Sequence, residues 1–486
     1  MTKELSGGWS DHVMEQAPIN DDPYHLPENE VLDTDSYKMS HPQQYPDGTT
    51  KLFSYIESRG GRYGQTVFFG LQYILKKYFC RRITRAQVLE AQQFAAKHGE
   101  PFPIDGWMRI VEQHNGLLPL RIRAVAEGSV VPTGNILVAI ESTDEQIPWI
   151  NSWKETELMR VWFPVTVGTV SYYCKKVILE ALKESADNPL GELYFKLHDF
   201  GSRGVSSRES AGIGGMAHLV NFKGSDTIQG VRYANHFYHE EMAGFSIPAA
   251  EHSTMSIKGV RGELDQMRRM VQQFAKPEAV LACVSDSYNI FNAVENYWGE
   301  ELHDLVRNSG ATVVIRPDSG DPAEVNLKLL QILERKIGMT TNLHGYKILP
   351  KYFRLIQGDG NDNEDAIRKV LTTLLSHGYS ASNIAFGMGG GLLQKIDRDT
   401  QKFAMKCSQA VVANEVLDVY KDPITDSGKK SKKGRLDLVF RDGYYQTVQG
   451  DQSDSLLVPV FENGRMLRDY SLAEIRKTAD KTLGIG

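Results

Sequence analysis

The chain has 486 residues, 41% of them hydrophobic and 24% charged, with a formal net charge of −6 at pH 7. That length exceeds one ordinary core and predicts two domains, while a pI near 6.1 excludes the basic surface on which nucleic-acid affinity depends. No apolar run approaches the roughly 18–20 residues that span a bilayer, and the polar start MTKELSGGWSDHVMEQ lacks the apolar centre of a signal peptide, so the expectation is a cytoplasmic protein with no membrane or nucleic-acid partner.

Residues 1–30 are polar, with several Asp, Glu and Pro, and are expected to be a loose extension unless something docks them. From 31 to 190 the pattern is mixed. TTKLFSYIES (49–58) and LRIRAVAEGSVVPTGNILVAIES (120–142) have the alternation and turn residues of antiparallel strands. TVFFGLQYILKKYF (66–79), ITRAQVLEAQQFAAKHG (83–99) and SYYCKKVILEALKESA (171–186) read as helices, the second stopped by Gly99. The four cysteines, Cys80, Cys174, Cys283 and Cys407, have neither zinc-site nor disulfide spacing and are expected to be reduced.

From 191 to 400 the grammar changes. Seven short β-rich runs each end in polar or glycine residues, and most are followed by a helix-like stretch. They are LYFKLHDFGS (193–202), AHLVNFKGSDT (217–227), SIPAAEHST (246–254), AVLACVSDS (279–287), ATVVIRPDSG (311–320), FRLIQGDG (353–360) and NIAFGMGGG (383–391). Strands alternating with helices predict a parallel sheet. An open doubly wound sheet would gather its ligands at one switch point. Polar groups after all seven runs fit a closed α/β barrel better, with its chemistry on the C-terminal rim. From 401 to 486 strand-like runs return, so a β-rich domain built from both chain ends is expected. KDPITDSGKKSKKGRLD (421–437) reads as a basic, solvated loop.

The strand ends supply Asp199, Asp226, Glu251, His252, Asp286, Arg316, Asp318 and Asp359, with glycines at 358, 360, 387 and 389–391. One acidic residue after a strand is commonly a helix N-cap. A ring of them beside cations and glycine turns is a different matter. Carboxylates there can hold Mg²⁺, and arginine and glycine N–H groups bind phosphate. The combination points to a phosphorylated, metal-chelated substrate. GMGGGLLQK (387–395) has neither Walker nor Rossmann spacing. DFGSRGVSS (199–207) has no kinase context; it offers Phe200 as an aromatic face and Arg203 as a phosphate clamp. His252, beside Glu251, has no second histidine at zinc-ligand spacing, and spacing leaves base and nucleophile both open.

The strings TDSYKMSH, FFGLQYIL, KLHDFGSRGVSS, AHLVNFKGSDT, PAAEHST, VSDSYNI, IRPDSG, IQGDG, IAFGMGGGLLQK and KKGRL run in order from about residue 31 onward. They resemble the nicotinamide phosphoribosyltransferases, type II phosphoribosyltransferases. The resemblance implies an irregular α/β barrel with a β-rich second domain, and a homodimer with shared active sites. It implies phosphoribosyl transfer from phosphoribosyl pyrophosphate to nicotinamide, with Mg²⁺, enhanced by ATP through a phosphohistidine at His252. It further implies Phe200 and the partner subunit's Tyr37 stacking on the ring, with the partner subunit's Asp35 lining the site. Asp226, with Ser246 nearby, would face the carboxamide, and Arg316 would lie against ring and phosphates. Arg203 and Arg398 of the partner subunit would hold phosphates. Asp318, Gly358, Asp359, Gly389 and Gly390 would bind the ribose and 5′-phosphate. Asp286 and Asp318 would help organise Mg²⁺ and orient His252, Glu251 is a further catalytic candidate, and Arg59 and Lys406 would contact nucleotide or pyrophosphate. One departure is Ala282, where the family usually has a serine beside the carboxamide.

Overall fold

The computed structural model describes residues 26–425 and 430–485. Most of the expected 1–30 extension therefore lies outside the described residues. Its last part is docked: Asn29 Nδ2 donates to Gln87 O (2.9 Å), and Arg81 pairs with Glu30 (3.0 Å), which is buried.

Six parallel strands form the barrel: β1 (Leu197–Asp199), β2 (Gly224–Ser225), β3 (Val280–Val284), β4 (Thr312–Arg316), β5 (Phe353–Gln357) and β6 (Ile384–Met388). They pair in the order β2-β1-β6-β5-β4-β3. The gap between β2 and β3 is bridged by residues 245–250. Ser225 N donates to Phe245 O (3.0 Å), Ala282 N to Pro248 O (2.9 Å) and Ala250 N to Ala282 O (3.0 Å). The members thus follow chain order around a closed, irregular ring. The seventh member is held by isolated bridges rather than a ladder, because Pro248 has no N–H to donate.

The second sheet is antiparallel and interleaves the two ends of the chain. Its order is Glu415–Asp418, Phe403–Val412, Thr49–Ser58, Ile136–Ser142, Leu120–Ala124, Val458–Glu462 and Arg465–Met466. The β-rich domain built from both termini is therefore present. The 24-residue helix Trp162–Ser185 leads from it to the barrel and packs on the barrel helices Arg208–His218 and Glu364–Ser376.

Several local expectations need correction. Residues 66–79 are not one helix: Gln65–Val67 is a strand paired with Val130–Pro132, and Gly70 turns the chain at φ +97° before the helix begins at Leu71. A side chain at Gly70 would also collide with Pro164, so only glycine fits. In 217–227 the helix runs on to His218 and only Gly224–Ser225 is strand; in 246–254 His252 opens a five-residue helix. The helix Arg85–His98 forms as expected, with a Thr84–Gln87 capping box and Gly99 left-handed at its end. The 421–437 loop is less solvated than its composition implies. The Lys432 ammonium pairs with Glu57, and Arg435 forks onto Glu141 at 2.8 and 3.0 Å. Among the described residues no helix is long and apolar enough to cross a membrane.

Candidate active site

Alternate residues of a barrel strand face the lumen and the surrounding helices. Leu281, Val313 and Ile315 join the main core under the helices, whereas Ala282, Val314 and Ile356 form a separate inner cluster with Phe200, Ile247 and Ala385. This inner lining encloses a cavity of about 600 Å³ that runs through the barrel. Phe200, Asp226, Ser246 and Arg316 line one end; Glu192, Phe195, Lys196 and Arg354 line the other.

At the C-terminal end, Phe200 is aimed by its backbone. Phe200 N donates to Met388 O (2.9 Å), and the turn after it is closed by Gly201 N donating to Asp199 Oδ1 (2.7 Å). Asp199 itself is wholly buried, and burial pushes its carboxyl up to about 6. Gly387 serves this ring rather than a phosphate, since a Cβ there would overlap Phe200. Across the mouth, Ser246 Oγ donates to Asp226 Oδ1 at 2.5 Å.

His252 stands beside this mouth on a short helix with Glu251 at its N-cap. Glu251 is engaged locally, its N–H donating to Thr254 Oγ1 (3.3 Å) and its carboxylate receiving the Ser253 hydroxyl. His252 faces Asp286. The Asp286 carboxylate, almost fully buried, accepts from His252 Nε2 (3.0 Å), Asp318 N (3.0 Å) and Ser319 Oγ (2.6 Å). A carboxylate only accepts, so His252 Nε2 carries the proton, and in the neutral ring the Nδ1 lone pair is the reactive one. The His252 side chain is 49% exposed, so that nitrogen is accessible to a ligand.

Arg316, at the end of β4, pairs through NH2 with Asp318 Oδ2 (3.2 Å), and its Nε is buried without a protein partner. Gly358 lies directly against both: a Cβ there would meet the Asp318 carboxylate and the guanidinium. Gly389 and Gly390 face more open space, and the turn bearing exposed Arg203 passes close to Gly390, whose amide nitrogen a Cβ on Gly204 would touch. Asp359 is exposed beside them on the β5 loop. One rim thus holds a carboxylate–imidazole pair, an arginine–carboxylate pair, an aromatic face and glycine turns.

Asp35, Tyr37, Arg59, Arg398 and Lys406 are not part of the cavity wall. Asp35 accepts from Thr156 Oγ1 (2.6 Å), and Tyr37 is 57% exposed on the Ser36–Gln43 turn. Lys406 is held below its ordinary pKa by burial and then by Arg59, Lys421 and Arg398, which makes these four one cationic cluster. Lys421 was missed by sequence reasoning because it opens a loop that reads as solvated. Lys196 and Arg354 were missed as well, although Lys196 sits two residues before His198, also on the cavity wall, in KLHDF. Both are satisfied by carbonyls, Lys196 Nζ by Ser382 O (3.1 Å) and Arg354 by Phe353 O (2.6 Å).

Residues 195–465 match the nicotinate phosphoribosyltransferase (NAPRTase) family, and residues 29–122 match the N-terminal domain of nicotinamide phosphoribosyltransferase. The chain is 52% identical over 466 residues to a nicotinamide phosphoribosyltransferase of Xanthomonas campestris, covering 94% of this chain and 99% of that protein. It is 33% identical to one of Mycoplasma pneumoniae, covering 84% and 95%. Among solved structures, a nicotinate-nucleotide pyrophosphorylase from Pyrococcus furiosus superposes with TM-score 0.59 at 14% identity, over 95% of this chain and 97% of that one. Human nicotinic acid phosphoribosyltransferase gives 0.52 at 16%, over 93% of each; both likenesses bear on the fold. Sequence, barrel and rim agree, and the chain belongs to the nicotinamide phosphoribosyltransferase family.

Proposed function

We propose that this protein transfers the phosphoribosyl group of phosphoribosyl pyrophosphate to N1 of nicotinamide, giving nicotinamide mononucleotide and pyrophosphate for NAD salvage. The observation that carries the reading is Phe200 facing an apolar barrel cavity with Asp226 at its mouth and Arg316–Asp318 on the rim. A pyridine ring stacks on Phe200, and its carboxamide N–H₂ donates to Asp226. Nicotinate would instead bring a second carboxylate to that position, where like charges repel. Ala282 supplies no hydroxyl, so the amide relies on Asp226 and Ser246.

In the transfer, the N1 lone pair attacks the ribose C1 as the C1–O bond to pyrophosphate breaks. The bond's electron pair leaves with pyrophosphate, and the positive charge passes from the sugar to the pyridinium. No proton has to move, so catalysis is positioning and charge stabilisation. Asp318 and Asp359 face the cationic sugar, with Gly358, Gly389 and Gly390 receiving its 5′-phosphate. Arg316 and Arg203 hold the phosphates.

Among the described residues no cluster of three or more His, Cys, Asp or Glu could hold a metal. The residues that would hold a substrate-associated Mg²⁺ are Asp318, with Asp286 behind it. Bound there, it supplies positive charge against the departing pyrophosphate. ATP enters as co-substrate at His252: Nδ1 attacks the γ-phosphorus, ADP departs, and Asp286 keeps the Nε2 proton. The phosphoimidazole adds negative charge beside the rim until water releases phosphate.

The functional unit is a homodimer, in which Tyr37, Asp35, Arg59, Arg398 and Lys406 of the partner subunit complete each site. The exposure of Asp35, Tyr37 and Arg398, and the separation of all five from the cavity wall of their own chain, support that arrangement.

Turnover of nicotinamide, phosphoribosyl pyrophosphate and Mg²⁺ tests the reading, with and without ATP, in wild type and His252→Ala. Mononucleotide should form in both proteins, and ATP should enhance it in wild type only. Absence of mononucleotide overturns the transferase reading; equal ATP enhancement in His252→Ala overturns the phosphohistidine.

A further inference from the structure

Two glycine loops form the phosphate side of the rim: 358–360 after β5 and 389–391 after β6. The parallel ladder between these strands ends at Gln357 paired with Phe386. Beyond that point the loops have no backbone pairing to fix their separation, and a buried side chain takes over. Asn361 is 3% exposed, and its Nδ2 donates to Gln357 O (3.0 Å) on one strand and Gly387 O (3.2 Å) on the other. The next residue makes the contact tighter. A Cβ on Gly391 would overlap the backbone of Asp362, so the second loop rests on the first with no side chain between.

The first loop is braced from below. Asn326, on the helix Pro322–Ile337, donates from Nδ2 to Gln357 Oε1 (2.5 Å), and Gln357 Nε2 donates to Asp359 O (2.8 Å). Asn326, Gln357 and Asn361 are all nearly or fully buried. A buried polar chain of this kind fixes geometry because each member has few alternative partners.

We infer that Asn361 is a positioning residue that holds the two glycine loops at one separation, so that both bind the same phosphoribosyl group. It touches no substrate; it acts through the two carbonyls it bridges. The inference rests on the proposed transferase reading, and the two fail in different ways. Asn361→Asp keeps the shape but replaces the shared donor with an oxygen facing two carbonyls, which drives the loops apart.

The test is steady-state kinetics on the full chain with Mg²⁺. Wild-type turnover from phosphoribosyl pyrophosphate comes first, and its absence overturns the transferase reading and this inference together. With turnover present, Asn361→Asp should raise KM for phosphoribosyl pyrophosphate by about tenfold or more, the size expected for two lost hydrogen bonds. KM for nicotinamide should move less than about threefold, because Phe200 keeps its own tie to Met388. A variant destabilised away from the rim, Leu371→Ala in the helix Glu364–Ser376, should lose melting temperature and keep both KM values. If the Asp variant fails to fold, Asn361→Ser, which retains one donor, is read the same way. An unchanged KM for phosphoribosyl pyrophosphate, or equal rises in both KM values, would overturn the positioning role.

Discussion

Asp199 shows how one residue can look like chemistry and serve architecture. It ends β1 beside Phe200, as a catalytic carboxylate would, yet it is wholly buried and accepts from Gly201 N. Burial, with a smaller contribution from Asp226, pushes its carboxyl up to about 6. An acid whose folded pKa lies above its ordinary value favours the folded state only when protonated. That stability is present below about pH 4 and is lost as pH rises through about 6. At pH 7–8 the buried charge is a cost of about 2–3 kcal/mol. Asn at this position keeps the acceptor for Gly201 N and removes the charge. Asp199→Asn should therefore melt at a higher temperature than wild type at pH 8, and the difference should shrink towards pH 4. A gap that is constant with pH would show that Asp199 is not carrying a buried charge.

At the scale of elements, legibility followed the backbone. Strands β3 to β6 were readable because each is an apolar run closed by a polar or glycine turn, and the rim residues at their ends came with them. The 245–250 member was readable as part of the ring but not as a bridge, because Pro248 and the start of the His252 helix break its pairing. Gly70 was not legible as a turn inside FFGLQYIL, since its necessity comes from Pro164, far along the chain. The glycines of GMGGG show the same limit. One spacing covers Gly387, which seats Phe200, Gly391, which rests on Asp362, Gly389, which lies beside the Phe200 backbone, and Gly390, which faces open space. Their different duties depend on what packs against each, which local sequence does not state. Gln357 and Ser319 lie inside IQGDG and IRPDSG, and Asn361 directly follows the former, but only the fold shows that they sit beneath the rim.

The whole molecule separates two halves of the proposed chemistry. The ring pocket, His252 and the glycine loops belong to the barrel, while Tyr37 on the Ser36–Gln43 turn and the cluster of Arg59, Arg398, Lys406 and Lys421 lie outside the barrel strands. In the proposed homodimer, the second half of one subunit would complete the first half of the other. Complementation by mixing tests this. Phe200→Ala and Tyr37→Ala should each be nearly inactive, and subunit exchange between them should restore about a quarter of wild-type activity, because half of the dimers carry one intact site. No recovery after verified exchange would place Tyr37 outside a shared site. The central claim is that the cavity mouth selects nicotinamide, and one competition measures it most directly. Equimolar nicotinamide and nicotinate are supplied with phosphoribosyl pyrophosphate, Mg²⁺ and ATP, and the two mononucleotides are resolved by mass. The account predicts nicotinamide mononucleotide in excess of about tenfold from wild type, the scale of one charge-assisted hydrogen bond. Equal products, or an excess of nicotinate mononucleotide, would contradict it.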